Sequence, residues 1–330
     1  MTAYIRPYRE TDFDACAHIC RATLPPSLSS SPDAARLSPY LWTHPYTYLS
    51  PETCHVLAVS GADINSDSPS SNTTHSKEGQ GQGLEQVVGY CIGTPSIQAL
   101  LSSYPRYISA ILLPSAVPPP PQLHTREPWF LPPSPSPSSS GEFKVNPLAL
   151  AQLIHNPSWQ LLSGKSKALL RAAPATMHVD ILPPWQGRGW GRRLVGAFEG
   201  SVRAATATNT DDINTTTAAA TSVRDIVGGE EKVGEEGGGE EEEEKEEEEE
   251  GENDKETGVV RTTGIHIGVA GDNAQAVGFY EKLGFRVVDV KTGVMVEGEA
   301  SSIGERRVEG EEEENGDDTI WMVKYLGEDL

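Results

Sequence analysis

Apolar residues along this chain fall into short runs with a period of two or of three to four, and long stretches between them show neither. "CHVLAVS" (Cys54 to Ser60) and "VVGYCIG" (Val87 to Gly93) are β-rich runs that predict strands, with a further short strand around Tyr4 to Arg6. After the first strand, Phe13, Ala17 and Ile19 or Cys20 recur at helical spacing, and Thr11 with Asp14 three positions on reads as a helix start. Ile97 to Leu113 is helix-compatible, and Leu148 to Leu170 looks helical in pieces. Then come a strand from Met177 to Leu182 and a helix from about Gly189 to Ala204. "GIHIGVAG" (Gly264 to Gly271) predicts a strand, and Asn273 to Phe285 a short helix stopped by Gly284. "RVVDV" and "TIWMVKYL" (Thr319 to Leu326) are the last strands.

Four stretches break this pattern, at about 61–86, 116–141, 206–258 and 297–318. The first is polar and repetitive and suits an expanded hairpin loop. The second is dense in Pro and Ser, although Trp129 and Phe130 are unusual for a spacer. All four read as low-complexity, disordered insertions in a single domain spanning 1–330. The remaining order is β, α, β, β, irregular helices, β, α, β, α, β, β. That predicts an α/β (α+β) domain with a mixed central sheet flanked by helices.

Charge sharpens this division. Of the net charge of -22, most lies in two tracts: 18 acidic against 3 basic residues between Asp225 and Glu256, and 10 against 2 between Glu297 and Asp318. The remaining body, with 20 acids and 21 bases, is close to neutral. Such tracts disfavour direct contact with nucleic acid or an anionic membrane, and they could attract a basic protein partner. Four cysteines show no paired spacing; Cys16 and Cys20 flank His18, but no second cluster supports a metal site, and none is expected. Neither a leader segment nor a bilayer-spanning run is visible, so the expected location is cytoplasmic or nuclear, not secreted.

The chemistry concentrates in "MHVDILPPWQGRGWGRRLV", Met177 to Val195. Gly187, Gly189 and Gly191 alternate between a strand and a helix, where backbone amides can approach a ligand closely and the helix start favours an anion. Arg188, Arg192 and Arg193 add positive charge. The spacing is neither the dinucleotide fingerprint nor a P-loop. A close-packing turn with no ligand is the plain alternative. In the strand itself, Met177, Val179 and Ile181 form one face and His178, Asp180 and Leu182 the other. His266 repeats that polarity in the later strand. Buried polar groups need partners. Either Asp180 belongs to a satisfied structural network, fixing a neighbouring backbone group or His266, or it is a carboxylate placed for chemistry.

Gln186, Gly189 and Gly191 fit the Q/R-x-x-G-x-G/A signature of the GNAT N-acetyltransferases, with Pro183 three positions before the Gln. "DNAQAVGFYEKLGF" resembles that family's second signature. The pairing of "HVDILP" with "GIHIGVAGDNAQAVGFYEKLGF" is most similar to the acetyltransferase-like domain of O-GlcNAc hydrolases and its free-standing microbial relatives. The resemblance implies a GNAT fold and direct transfer of acetyl from acetyl-CoA to a primary amine, on a protein lysine or a small molecule. It implies that the pantetheine arm pairs near Ile181 and Leu182, and that Gln186, Gly187, Arg188, Gly189, Trp190, Gly191 and Arg192 hold the pyrophosphate. Asn273 would hold the cofactor arm and Phe279 pack beneath it. Asp180 is the first candidate base, His178 or His266 the second, and Tyr280 the general acid. Tyr280 as a plain core tyrosine, and the whole domain as a non-catalytic acetyl-CoA or peptide-binding module, are the alternatives. Tyr104, Tyr107, Trp129 and Phe130 either line an acceptor pocket or belong to a satellite core.

Overall fold

A computed structural model describes residues 2–61, 85–113, 117–131, 144–221, 263–270, 273–296 and 319–327, without side chains for 208–221. The acidic tracts and most of the four expected insertions lie outside the described residues. The chain divides into two units, Met1–Thr206 with Thr262–Leu330, and Ala207–Arg261. Both sheets belong to the first.

Strands β1 (Thr2–Pro7), β2 (His55–Ser60), β3 (Glu85–Thr94) and β4 (Thr176–Ile181) form an antiparallel sheet in that order. A second sheet has the order β5 (Gly264–Ala270), β7 (Thr319–Tyr325), β6 (Arg286–Val287). One parallel bridge, Ala175 with Ile265, joins the two. There the Ala175 amide donates to the Gly264 carbonyl, and the His266 amide donates to the Ala175 carbonyl. Beyond that bridge, no backbone bond between β4 and β5 is present among the described residues. The sheet therefore opens between them. The expected mixed sheet is present, its parallel contact confined to this point.

The helices sort by which face of the first sheet they cover. Helix α1 (Phe13–Ala22) lies on one face; α2 (Pro26–Ser29), α3 (Pro32–Trp42) and α4 (His44–Leu49) follow it, then α5 (Ile97–Tyr107), which runs on into a π-turn at Ile108–Leu112. Cys16, Ile19, Cys20, Tyr46 and Leu100 from this group bury Tyr90 and Ile92 of β3. Helices α6 (Pro147–His155), α7 (Ser158–Leu161) and α8 (Lys167–Ala172) are the expected pieces before β4. On the opposite face, α9 (Trp190–Thr221) and α10 (Ala274–Lys282) pack Leu194, Val195, Phe198 and Val277 against Met177, Ile181 and Ile267.

Three expectations are corrected. Thr11 does not cap α1; Asp12 precedes the helix instead, held by Arg6 and by the Arg9 amide. Helix α9 continues to Thr221, well past Ala204, because no Gly or Pro interrupts it beyond that residue and adding residues to an existing helix is far easier than nucleating one. Residues 117–131 pack, rather than forming spacer. Val117 is buried, and Gln152 Nε2 donates to the carbonyls of Gln122 and Thr125.

Candidate active site

The strand polarity seen in the sequence is realised in β4. The register pairs Tyr90 with Asp180 across β3 and β4, and the Leu182 amide donates to Val88. Even-numbered residues of β4 thus turn their backbone groups to β3, and odd-numbered ones turn theirs to β5. Past Ala175 those odd positions are Met177, Val179 and Ile181, whose amides face the opening between the sheets. Leu182, by contrast, spends its amide on β3.

Below the opening the chain makes the glycine turn. Gly187 and Gly189 have φ of 70° and 78°, in the left-handed region that side chains with a Cβ rarely adopt, and a β-carbon at either would meet open space. Gln186 ties the turn to the strand, its Nε2 donating to the Ile181 carbonyl at 2.7 Å. Gly191 stands against the Phe279 ring, where an added Cβ would sit 3.0 Å away. Helix α9 starts at Trp190, so its first-turn amides, which have no intrahelical acceptors, open toward the turn. Arg188 lies over the Trp185 ring and Arg193 over the Trp190 ring; Arg188 and Arg192 are solvent-exposed. An open turn of left-handed glycines, a helix start and exposed guanidinium groups fit a pyrophosphate. Asn273 stands at the start of α10, where its Oδ1 accepts from the Ala276 amide at 3.0 Å.

The even-numbered face carries the titratable groups. Asp180 is half-buried and accepts a 2.6 Å hydrogen bond from the Tyr90 hydroxyl. Burial raises its carboxyl above the ordinary carboxylate value, against the hold of Tyr90 and of Thr23, which favours ionisation. His178, also half-buried, packs its ring 5.4 Å from that of Tyr46, and burial lowers it to about 4. Tyr280 is 9% exposed, enclosed by the rings of Phe279 and Phe285, and its hydroxyl bonds to no side chain among the described residues. Burial raises that hydroxyl far above 10, and Cys91 and Asp180 push the same way. It therefore stays protonated near neutral pH and lies within electrostatic reach of Asp180.

His266 stands apart from this group. It is fully buried, its Nδ1 lies 2.6 Å from the Ala173 carbonyl, and its neutral form is favoured down to about 4. Asp180 therefore makes no pair with it; Tyr90 and Thr23 are the partners, and both come from distant parts of the chain. The four aromatics left open in the sequence belong to a satellite core. Tyr104 donates to the Ile154 carbonyl and Tyr107 to that of Tyr40, while Trp129 and Phe130 pack on the same cluster. Cys16 and Cys20 are buried on α1, while His18 faces outward.

No family model matches the chain, and no curated protein does. Among solved structures, the crystal structure of SsHAT is similar over 99% of this chain and 100% of its own, at 20% identity and a TM-score of 0.51. The chain thus shares its mixed α/β fold with that structure. Among the described residues, no helix is long and apolar enough to cross a membrane.

Proposed function

We propose that this protein is an acetyl-CoA-dependent N-acetyltransferase of the GNAT type, transferring acetyl directly to a primary amine. One observation carries the reading. The sheet opens between β4 and β5 directly beside a left-handed glycine turn at a helix start, with Asp180 and a protonated Tyr280 flanking the opening.

Gly187, Gly189 and the first turn of α9 would receive the pyrophosphate, with Arg188 and Arg192 screening its charge. The pantetheine amides would pair with the backbone edge at Val179 and with the Ile181 amide, the Ile181 carbonyl being held by Gln186. An acceptor amine must attack as the neutral form, so it gives a proton to the Asp180 carboxylate, directly or through water. The new C–N bond forms as the carbonyl opens, the C–S bond then breaks, and Tyr280 donates its proton to the departing thiolate. An edge amide of β4 would polarise the carbonyl. Holding both substrates in the opening accounts for much of the rate. A half-buried, neutral His178 on the Asp180 face is the second candidate for proton uptake.

Calorimetric titration of acetyl-CoA into wild type, Gly189→Glu and Tyr280→Phe tests this. The expected result is binding by wild type and Tyr280→Phe and loss in Gly189→Glu, with acetylation of a primary-amine panel lost in Asp180→Asn. Wild type that fails to bind overturns the reading. Binding without transfer to any amine would instead identify a non-catalytic acetyl-CoA module.

A further inference from the structure

Beneath the Asp180 face, the structure builds a support that the direct-transfer reading does not require. Tyr90 stands opposite Asp180 in the register of β3 and β4, so both side chains rise from the same face of the sheet. Tyr90 is fully buried among Cys20, Ile19 and Ile92, and its hydroxyl donates to Asp180 Oδ2 at 2.6 Å, with Thr43 and the Cys20 thiol also beside it. A buried phenol held by its whole ring gives the carboxylate a fixed donor at Oδ2. Thr23, ending α1, lies on the other side and is itself anchored to the Ile19 and Cys20 carbonyls.

From this geometry we infer that Tyr90 is the positioning residue of the site: its hydroxyl fixes the Asp180 carboxylate toward the acceptor and favours the ionised form that can take a proton. The inference rests on Asp180 as the base, and extends it to the residue that makes that base usable.

The surroundings make this readable by pH. From α1, Cys20 faces Asp180 with its thiol raised to about 12, and Arg21 stands at the helix end. From β3, Cys91 is raised, as is Tyr90 itself. From α10, Tyr280 is raised. His178 beside Asp180 on β4 is lowered to about 4, and His44 on α4 to about 3. None of these groups changes charge between about pH 5 and 9, so a charge change at the site in that window belongs to Asp180. A donor to the ionised carboxylate lowers its midpoint; removing the donor must raise it.

The experiment compares full-length wild type with Tyr90→Phe. It follows the ¹³C shift of the Asp180 carboxyl against pH, assigned with Asp180→Asn, and kcat against pH with a primary alkylamine. Expected in Tyr90→Phe are a carboxyl midpoint raised by about one pH unit and an acid limb of kcat displaced by the same amount. The KM for acetyl-CoA should stay within about twofold. Site-specific 3-fluorotyrosine at position 90 keeps ring and hydroxyl while strengthening the donor, and should move the midpoint down; it covers the case in which Tyr90→Phe fails to fold. An unmoved carboxyl midpoint, or kcat reduced equally at every pH, overturns the inference. Midpoints that move in a protein with no turnover support the hold of Tyr90 and count against Asp180 as a base, so the two failures are separable.

Discussion

Gly191 and the ring of Phe279 touch at the point where α9 begins, and a β-carbon at position 191 would stand 3.0 Å from two of the ring carbons. This contact fixes how α10 lies against the glycine turn, so the second sequence signature supports the first. Gly191→Val should therefore push Phe279 aside and cost about 1–3 kcal/mol of stability through overpacking. Acetyl-CoA binding should fall more steeply than stability, because the turn moves with the helix start. Chemical denaturation and calorimetry on the same variant read the two effects separately.

Gly189 is constrained differently, by its φ of 78° and not by space. Gly189→Ala should cost about 1–2 kcal/mol, the penalty for a Cβ in the left-handed region. Gly196, on the same helix, has open space at its Cβ position and no left-handed φ. Gly196→Ala should stabilise the fold by up to about 1 kcal/mol through helix propensity and leave acetyl-CoA affinity unchanged. A matched loss in both variants would show that the turn's conformation is not what the ligand needs.

Away from the site, Arg6 is 8% exposed and joins Asp12, at 2.7 and 2.8 Å, to Glu85 at the start of β3. Asp12 is itself 4% exposed. Arg6→Met should cost about 3–5 kcal/mol, because it strands a buried carboxylate rather than because the pair itself is so favourable. The double variant Arg6→Met with Asp12→Asn should recover part of that loss in urea denaturation.

The glycine turn and the polarity of β4 were legible in the sequence because both are local. Three alternating glycines and a period of two need no tertiary information. The partners of Asp180 were not legible, since Tyr90 lies 90 positions away and only the β3–β4 register brings it opposite. Helices α2, α3 and α4 are hidden in the sequence for another reason. Each carries a proline in its first turn, and α3 also has Pro39 inside, so residues that usually mark breaks here mark starts. Tyr104 and Tyr107 were ambiguous because a tyrosine in a pocket and one in a core share a pattern; only their bonds to Ile154 and Tyr40 decide.

Acid should destabilise the fold through its histidines. In the folded chain His178 and His266 stay neutral to about 4 and His44 to about 3, against an ordinary value of 6.5, because burial penalises the cation. His55 and His155 are displaced in the same direction. Between 6.5 and 4 the unfolded chain therefore binds protons that the folded one refuses. Their stability is fully present above about pH 6.5 and lost as pH falls toward 4. Asp180, displaced upward, opposes this with a single group. His44 stacks on Phe13 at 3.7 Å, and its Nδ1 has no hydrogen-bond partner among the described residues, so His44→Phe should flatten the acid dependence while preserving the stack. Urea midpoints at pH 7.5 and 5 give the slope in each protein.

Tyr280 separates chemistry from packing most cleanly. Its ring is held between Phe279 and Phe285, and its hydroxyl donates to no described side chain. Tyr280→Phe keeps the ring contacts and removes a hydroxyl that stabilises nothing visible in the fold, so stability should change by less than about 0.5 kcal/mol. Acetyl-CoA affinity should hold as well. If the hydroxyl protonates the departing thiolate, kcat should still fall by about a hundredfold. Because burial keeps the group protonated well above neutral pH, the loss should be uniform across pH 6–9, unlike the displaced limb expected from Tyr90→Phe. The size of the loss should also depend on the leaving group. A thioester whose thiol is more acidic needs less help from a proton donor, so acetyl transfer from such a donor should narrow the gap between Tyr280→Phe and wild type. Pre-steady-state turnover with both donors measures that gap directly, and a gap that stays constant would assign the Tyr280 hydroxyl to ground-state structure.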